Sequence, residues 1–362
     1  MRDLLIFAVV FGGLPFILRK PWIGVVYWVW LSVMNPHRLS WGMAYSFPFA
    51  QLVALATLIG LLFTKDPREF KGGIPAVVLL IFLLHTVITT FFALVPDEAS
   101  TMLVRVLKIQ LLTFIGLVVL HKREHLIWMV WMIVLSIGYY AIKGGIFTIA
   151  TAGAFRVWGP ADSFIADNNA LALATVMTIP LWAYLYIYYK GNGWRWLFLV
   201  AIALSAFSAL GSQSRGALLA IGGMAIYLWL KGQRKVMVGL ALLMAAVTLA
   251  SFMPQSWKER MNTIGTYKSD ESAMGRIETW GMLFDIAVDR PLVGGGFEPY
   301  SREVLERYRP EYTTVRAAHS VYFQVLGEHG FLGMGLFLLF WVLTLLMARR
   351  IVGGKPQAPV AA

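Results

Sequence analysis

The chain has 362 residues, of which 59% are hydrophobic and only 14% charged, with a formal net charge of +12 and a mean hydropathy of +0.69. Soluble domains are about 45–50% apolar and about 25% charged, so a purely aqueous fold is excluded and part of the solvent is lipid. The lack of cysteine removes disulfides, thiolate nucleophiles and cysteine-based metal sites. The basic residues cluster in short turns between apolar runs, which reads as a topology signal and not as nucleic-acid binding.

Apolar runs near the length needed to cross a bilayer recur along the chain, with no alternating strand pattern of the barrel type. In order they are 4–18, 22–34, 49–63, 74–95, 107–120, 126–142, 170–189, 194–211, 217–230, 236–253 and 331–348. The first is interrupted by Gly12, Gly13 and Pro15, and 101–108 before the fifth reads as amphipathic. A loop is expected from Lys143 to Asp167, where Asp167, Asn168 and Asn169 are good N-cap residues for the next span. The expected fold is therefore all-α: a polytopic membrane protein of about 11–12 transmembrane helices with one long extracytoplasmic loop containing amphipathic helices. Its divisions are 1–253 (helices 1–10), 254–318 (a helical lid carrying site residues), 319–350 (an outer-leaflet piece, then a span) and 351–362 (a tail).

Lys/Arg-rich turns follow every second span, including Arg19-Lys20, Lys65 to Lys71, His121-Lys122-Arg123, Lys190, Lys231 to Lys235 and Arg349-Arg350. By the positive-inside rule that face is cytoplasmic. The N-terminus then lies outside, unless the short first span is a half-span. The opposite face receives 35–48, 96–100, 143–167, 212–215 and 254–319. This last segment holds more than half of the 19 acidic residues.

The polar groups on that face are mainly arginine, histidine, tyrosine and asparagine. Arg215 sits in the tight turn Ser212-Gln213-Ser214-Arg215-Gly216, between two spans, on the face where arginine is disfavoured. Its planar fork suits a phosphate; the alternative is snorkelling to headgroups. Arg276 shares a helical stripe with Trp280. His319 is read as opening the last helix, on one face with Tyr322, Phe323 and Leu326, where imidazole can take a proton near neutral pH. His85, midway along a span, reads as a buried interhelical donor. Gly327 and Gly330 suggest a bend. No paired carboxylates, metal-spaced cluster or Ser-His-Asp set appears, so no metal and no cofactor is expected. The mixture suits an anionic donor and a hydroxyl acceptor better than hydrolysis.

Four pieces together resemble a known family: Gly12-Gly13-Leu14-Pro15 through Asn35-Pro36-His37-Arg38; Ser214-Arg215-Gly216; Gly275-Arg276 through Trp280 with Val293-Gly294-Gly295-Gly296-Phe297; and His319-Ser320-Val321-Tyr322 with Gly330-Phe331-Leu332-Gly333. The chain resembles the O-antigen ligase/polymerase superfamily, closest to the exosortase-associated O-glycosylation ligases. It departs at Ser320, where asparagine is more usual, and in ending soon after its last span.

The resemblance implies a GT-C-like, metal-independent, inverting glycosyltransferase in a bacterial inner membrane, with its site facing the periplasm. The donor would be a glycan on undecaprenyl diphosphate and the acceptor most simply lipid A-core in lipopolysaccharide maturation, with a protein hydroxyl or a second lipid-linked glycan as alternatives. Arg215 and Arg276 would hold the diphosphate and His319 would act on the acceptor hydroxyl. Arg156, Arg38, Asn168, Tyr322 and Trp280 would bind substrate. The competing reading of another class is a transporter or flippase of lipid-linked sugars.

Overall fold

A computed structural model describes residues 1–70, 72–231, 235–262, 271–312, 314 and 316–354. The basic-turn residues Lys71 and Arg234, and 355–362 of the expected tail, lie outside the described residues. Fourteen α-helices are assigned: α1 (Arg2–Arg19), α2 (Pro21–Val33), α3 (Phe49–Phe63), α4 (Gly73–Phe91), α5 (Pro96–Val119), α6 (Arg123–Ala150), α7 (Asn168–Tyr188), α8 (Trp196–Gly211), α9 (Arg215–Lys231), α10 (Lys235–Phe252), α11 (Gln255–Asn262), α12 (Glu271–Asp289), α13 (Arg302–Tyr308) and α14 (Val321–Gly353). No strand occurs among the described residues, so the protein is an all-α, polytopic membrane protein.

Among the described residues, six helical stretches are long and apolar enough to cross a bilayer: Gly73–Phe91, Pro96–Val119, Arg123–Ala150, Asn168–Tyr188, Gly193–Gly211 and Val321–Gly353. Pro21–Val33, Phe49–Phe63, Arg215–Leu230 and Lys235–Met244 are apolar but shorter. The sequence count of about 11–12 thus includes helices below the roughly 20 residues of a full crossing.

Three expectations change. The first helix is continuous through Pro15. The amphipathic stretch 101–108 and the fifth span are one helix, α5, opened by Pro96 with Asp97 and Glu98 in its first turn, a combination that fits proline's fixed φ and the helix dipole. The loop expected from residue 143 begins only after Ala150, because the apolar run Ile146-Phe147 continues the helix. Lys143 is consequently a helical residue.

The helices pack in two units. One comprises Met1–Pro67 with Leu120–Gly265, the other Arg68–Val119 with Thr266–Ala362. In the first, α6 and α8 meet along a seam of small residues. A Cβ on Gly145 would lie 2.2 Å from the Leu204 carbonyl oxygen, one on Gly144 would lie 2.4 Å from the Ser208 hydroxyl, and one on Gly211 would lie 1.9 Å from the Thr148 hydroxyl. Between spanning helices, where lipid removes the hydrophobic drive, such close approach at small residues supplies the attraction. Asp167 caps α7 by accepting from the Asn169 amide at 2.8 Å and the Ala170 amide at 3.3 Å.

In the second unit α14 packs on α4 and α12. It is broken at Gly330, whose φ of 68° and ψ of −173° are non-helical. The break is held by polar groups that would otherwise be stranded in lipid. His85 Nε2 is 3.1 Å from the His329 carbonyl, and the Thr89 hydroxyl is 2.8 Å from His329 Nδ1. The triglycine lies against this break: the Gly295 amide donates to the Gly327 carbonyl at 2.7 Å and the Gly296 amide to that of Glu328 at 2.9 Å. A Cβ on Gly294, at φ 58°, would sit 2.6 Å from the Gly327 carbonyl oxygen. These glycines are therefore required for packing.

Gly145→Ala should separate α6 from α8, at a cost of roughly 1–3 kcal/mol typical of overpacking. The thermal midpoint in detergent should fall by several degrees, whereas Gly222→Ala, with nothing within 4 Å of its Cβ, should leave it unchanged. Equal midpoints for the two variants would remove the seam from the account of stability.

Candidate functional site

In the first unit the expected residues gather around the turn between α8 and α9. Ser212 accepts the Ser214 amide on its hydroxyl at 3.2 Å. Gln213 takes a left-handed conformation, φ 55°, uncommon for a residue with a side chain. The Ser214 hydroxyl caps α9 by accepting from the Ala217 amide at 3.2 Å. Arg215 is then the first residue of α9, half-buried, at the positive end of a helix dipole that favours anions.

Three neighbours fix that turn. Asn168, only 3% exposed, donates its side-chain amide to the Ser212 carbonyl at 2.7 Å. The Val157 amide donates to the Gly211 carbonyl at 2.9 Å, and the Trp257 indole to the Leu210 carbonyl at 3.1 Å. Asn168, expected to bind substrate, donates its side-chain amide to the backbone that presents Arg215.

Arg156 stands next to Val157 and is therefore tied to the same turn. Its guanidinium lies 5.4 Å from the Trp158 ring centroid, and its Nε is buried without a hydrogen-bond partner. A cavity of about 280 Å³ opens beside it, with Leu39, Tyr140, Lys143, Phe147, Arg156 and Trp158 among its lining residues. Arg38 joins the same side through its loop: its guanidinium lies 4.6 Å over the Tyr45 ring, and the Tyr45 hydroxyl donates to Asp162 at 2.7 Å. The structure thus collects Arg38, Arg156, Asn168 and Arg215 into one set of linked loops. His37, beside Arg38, is held below the ordinary histidine range by burial and then by the Arg38 charge.

In the second unit α12 presents Thr279 and Trp280 to the segment that precedes α14. The Trp280 indole donates to the Ala318 carbonyl at 2.6 Å, and its ring stacks on Phe323 at 4.9 Å and 4°. The Thr279 hydroxyl is 2.8 Å from the Gly275 carbonyl and 3.4 Å from that of Arg316. Arg316 lies directly over Gly275, where a Cβ would meet its Cδ at 2.6 Å. Trp280 therefore holds the chain one residue before His319. Arg276 is half-buried, and its Nε has no hydrogen-bond partner.

His319 does not open the helix. Ser320 is the N-cap of α14, and His319 lies before it, exposed, with φ 49°. It shares no helical face with Tyr322, Phe323 and Leu326, because the backbone turns left-handed between them. Strain of this kind persists where the surroundings impose it and is concentrated at functional positions. Tyr322 is 56% exposed. Three residues of the charged stretch pair with α12: Arg309 with Asp285 at 2.7 Å, Arg307 with Asp289 at 3.6 Å, and the Tyr308 hydroxyl donating to Asp289 at 2.7 Å.

Two acids were not anticipated. Glu328, 3% exposed, accepts from the Glu298 amide at 3.2 Å and from Gln324 at 3.0 Å. Glu298 is left-handed, φ 51°, and lines a cavity of about 150 Å³ with Glu98, Thr101, Met102 and Arg105. Burial pushes the Glu298 carboxyl above the usual range; Arg105 offsets this and Glu98 adds to it. Burial and the Glu328 and Glu298 charges push the Tyr300 phenol up. In the sequence, Glu328-His329 beside Gly330 at the head of an apolar run was the available signal.

Residues 200–338 match the model of a family described as O-antigen ligase. Residues 1–190, more than half of the chain, match that of a family of unknown function (DUF5935). Neither a curated protein nor a solved structure matches the chain.

Two outcomes are expected from this geometry. Trp280→Phe keeps the stack and loses the bond to Ala318, so amide exchange over 316–319 should accelerate while that of α12 stays slow; unchanged exchange would refute the tether. Glu298 binds its proton more tightly in the folded state than in the unfolded one, so its contribution to stability is present at low pH. It is lost as pH rises from the ordinary carboxylate value of about 4.3 through the raised folded value. Glu298→Gln should flatten that decline in thermal midpoint against pH, and an identical profile would contradict it.

Proposed function

Because the chain belongs to the O-antigen ligase superfamily and, over its N-terminal half, to the family of unknown function matched by residues 1–190, we propose that it moves a glycan from undecaprenyl diphosphate to a hydroxyl of lipid A-core. The transfer takes place at the periplasmic face of a bacterial inner membrane. The observation that carries this reading is the state of three side chains. Arg215 heads a helix on a turn clamped from three sides. Arg276 has a buried Nε with no partner. His319 is exposed, with a left-handed backbone, directly after the Ala318 that Trp280 holds.

The bond from the anomeric carbon to the diphosphate oxygen breaks as the acceptor oxygen attacks from the opposite side, which inverts that carbon. The acceptor proton passes to the His319 imidazole, whose exposure leaves a nitrogen accessible for general-base work. The electron pair leaves with the diphosphate, whose charge Arg215 and Arg276 stabilise. Fixed donors aimed at developing charge are worth most where water is excluded. The leaving group is already stable as an anion, so neither a general acid nor a metal ion is assigned.

Asn168 and Trp280 are positioning residues in this scheme: each donates to a backbone carbonyl within three residues of Arg215 or His319. Arg38 and Arg156 are assigned to the donor's anionic end. Tyr322, exposed two residues into α14, is assigned to the acceptor.

Reconstitution with an undecaprenyl diphosphate-linked glycan tests the reading, with lipid A-core and a candidate protein acceptor supplied in parallel. A single transfer to lipid A-core is expected. A ladder from donor alone would assign a polymerase, transfer to the protein an O-glycosylation ligase, and movement across liposomes without a new bond a flippase. His319→Ala should abolish transfer. His319→Asn, which tolerates the left-handed backbone, should be equally inactive while fully folded. Arg215→Lys should lose most activity, because an ammonium cannot reproduce the bidentate fork. Near-normal transfer by the folded asparagine variant would remove the base assignment.

A further inference from the structure

α6 begins at Arg123, directly after the basic turn His121-Lys122, and α7 ends at Tyr188. Both helices are long and apolar enough to cross the bilayer, and these two ends lie together. The Trp131 indole donates to the Tyr189 hydroxyl at 3.0 Å, and the Arg123 guanidinium lies 5.3 Å from the Tyr188 ring centroid. A hollow of about 490 Å³ opens there, with Arg123, Glu124, Trp128, Trp131, Leu135 and Tyr188 among its lining residues. Residues 151–167 join the other ends of the same two helices. The hollow is therefore a full span away from Arg156 and Asn168 and forms no part of the site described above.

The hollow is charged at one end only. Glu124, Trp128, Trp131 and Leu135 follow at spacings of four, three and four, so they share one face of α6. From Glu124 to Leu135 that face runs about 16 Å at 1.5 Å per residue, close to half of the roughly 30 Å hydrocarbon thickness. Beyond Glu124 the face is apolar, and Trp128 and Leu135 are exposed along it. A charged mouth at the level of a basic turn, leading to an apolar path one leaflet deep, has the outline of a membrane lipid. The mouth carries both signs. Arg123 and Glu124 are consecutive on the helix and do not face each other. Among the described residues neither side chain forms an ion pair. A singly charged anionic head would satisfy the guanidinium but bring its charge beside the Glu124 carboxylate; a zwitterionic head satisfies both.

We propose that this hollow binds a zwitterionic phospholipid with a primary ammonium, phosphatidylethanolamine, from the leaflet on the side of the Lys/Arg-rich turns. The Arg123 guanidinium binds the phosphate oxygens, as its planar fork suits. The Glu124 carboxylate accepts from the ammonium N–H groups, and an acyl chain lies along Trp128, Trp131 and Leu135. The carboxylate is the selecting group. A choline head has no N–H to donate, and a glycerol head has no cation. The lipid touches the start of α6 and the end of α7 together, so its binding stabilises that helix pair by mass action. The proposal is independent of the glycosyl-transfer reading and concerns the opposite face of the molecule.

The test uses the full chain, delipidated in detergent, with native mass spectrometry as the readout. The probes are dioleoyl phosphatidylethanolamine, phosphatidylcholine and phosphatidylglycerol, which share their acyl chains and differ only in the head. The wild type should retain phosphatidylethanolamine roughly tenfold more tightly than either of the others, the scale of one charged hydrogen bond. Glu124→Gln should lose that preference while still holding phosphatidylcholine. Arg123→Gln should weaken phosphatidylethanolamine and phosphatidylcholine alike, by roughly tenfold. Phosphatidylethanolamine should also raise the thermal midpoint of the wild type and leave that of Glu124→Gln unmoved. Both side chains are exposed, so both variants should remain monodisperse, and the ranking of lipids by the wild type is read without either. Equal retention of the three lipids would mean an unselective lipid coat and overturn the site. Tightest retention of phosphatidylglycerol would replace it with an anionic-lipid site, and a wild-type preference surviving in Glu124→Gln would remove the carboxylate from it. Equally tight binding of glycerophosphoethanolamine, the head without acyl chains, would defeat the role given to the apolar stripe.

Discussion

The contact on which the first unit depends is the glycine seam between α6 and α8. With no room for a Cβ at Gly144, Gly145 or Gly211, two spanning helices approach to backbone distance, and their ends are fixed relative to one another. Everything at the α8–α9 turn follows from that. Gly211 ends α8 within reach of the Val157 amide, so the loop leaving α6 folds back over the turn. Asn168, at the start of α7, finds the Ser212 carbonyl. A guanidinium has many rotamers and binds an anion well only when its base is immobile; here the immobility originates in three glycines. In lipid such packing is the available source of helix association, since exposing apolar side chains there carries no penalty.

The second unit obtains the same result by another route. Its central helix is interrupted at Gly330, and the freed groups are taken up by His85, Thr89 and the triglycine amides. Glu328 extends this to Glu298. The cluster is satisfied throughout by protein groups, as a broken helix at membrane depth requires. Three of the left-handed residues, Gln213 in the first unit and Glu298 and His319 in the second, lie beside such clamps.

Much of this was legible in the chain. Apolar runs located the helices, His85 was expected to donate between helices, and Gly330 was expected to bend α14. Arg215 was singled out by sitting where arginine is disfavoured. What escaped was anything dependent on partners distant in sequence. Helical periodicity places His319 on a face with Tyr322 only if the helix has already begun. It has not, because Trp280, 38 positions away along the chain, holds Ala318 in an extended approach. The resemblance assigned Asn168 and Trp280 to substrate; their carbonyl partners become visible only in three dimensions. Lys143 was placed in a loop because a charge inside an apolar run ordinarily ends the run. The grouping of α4 and α5 with α12–α14 has no counterpart in chain order.

The polar side chains of both units then fall into two kinds by one physical criterion. Asn168, Thr279, Trp280, His85 and Glu328 have their bonds made by the protein, most of them to backbone, and removing any of them strands a carbonyl or amide at a cost of about 1–3 kcal/mol. The Nε groups of Arg156 and Arg276 are buried without such bonds. A buried guanidinium nitrogen without an acceptor carries that same cost in the free protein. The penalty is relieved when an anion supplies the missing acceptor. An anionic ligand therefore gains both its own bonds and the relief of a strain already present. The first kind of residue fixes backbone within its own unit; on the reading proposed above, the second is where an anion would be held.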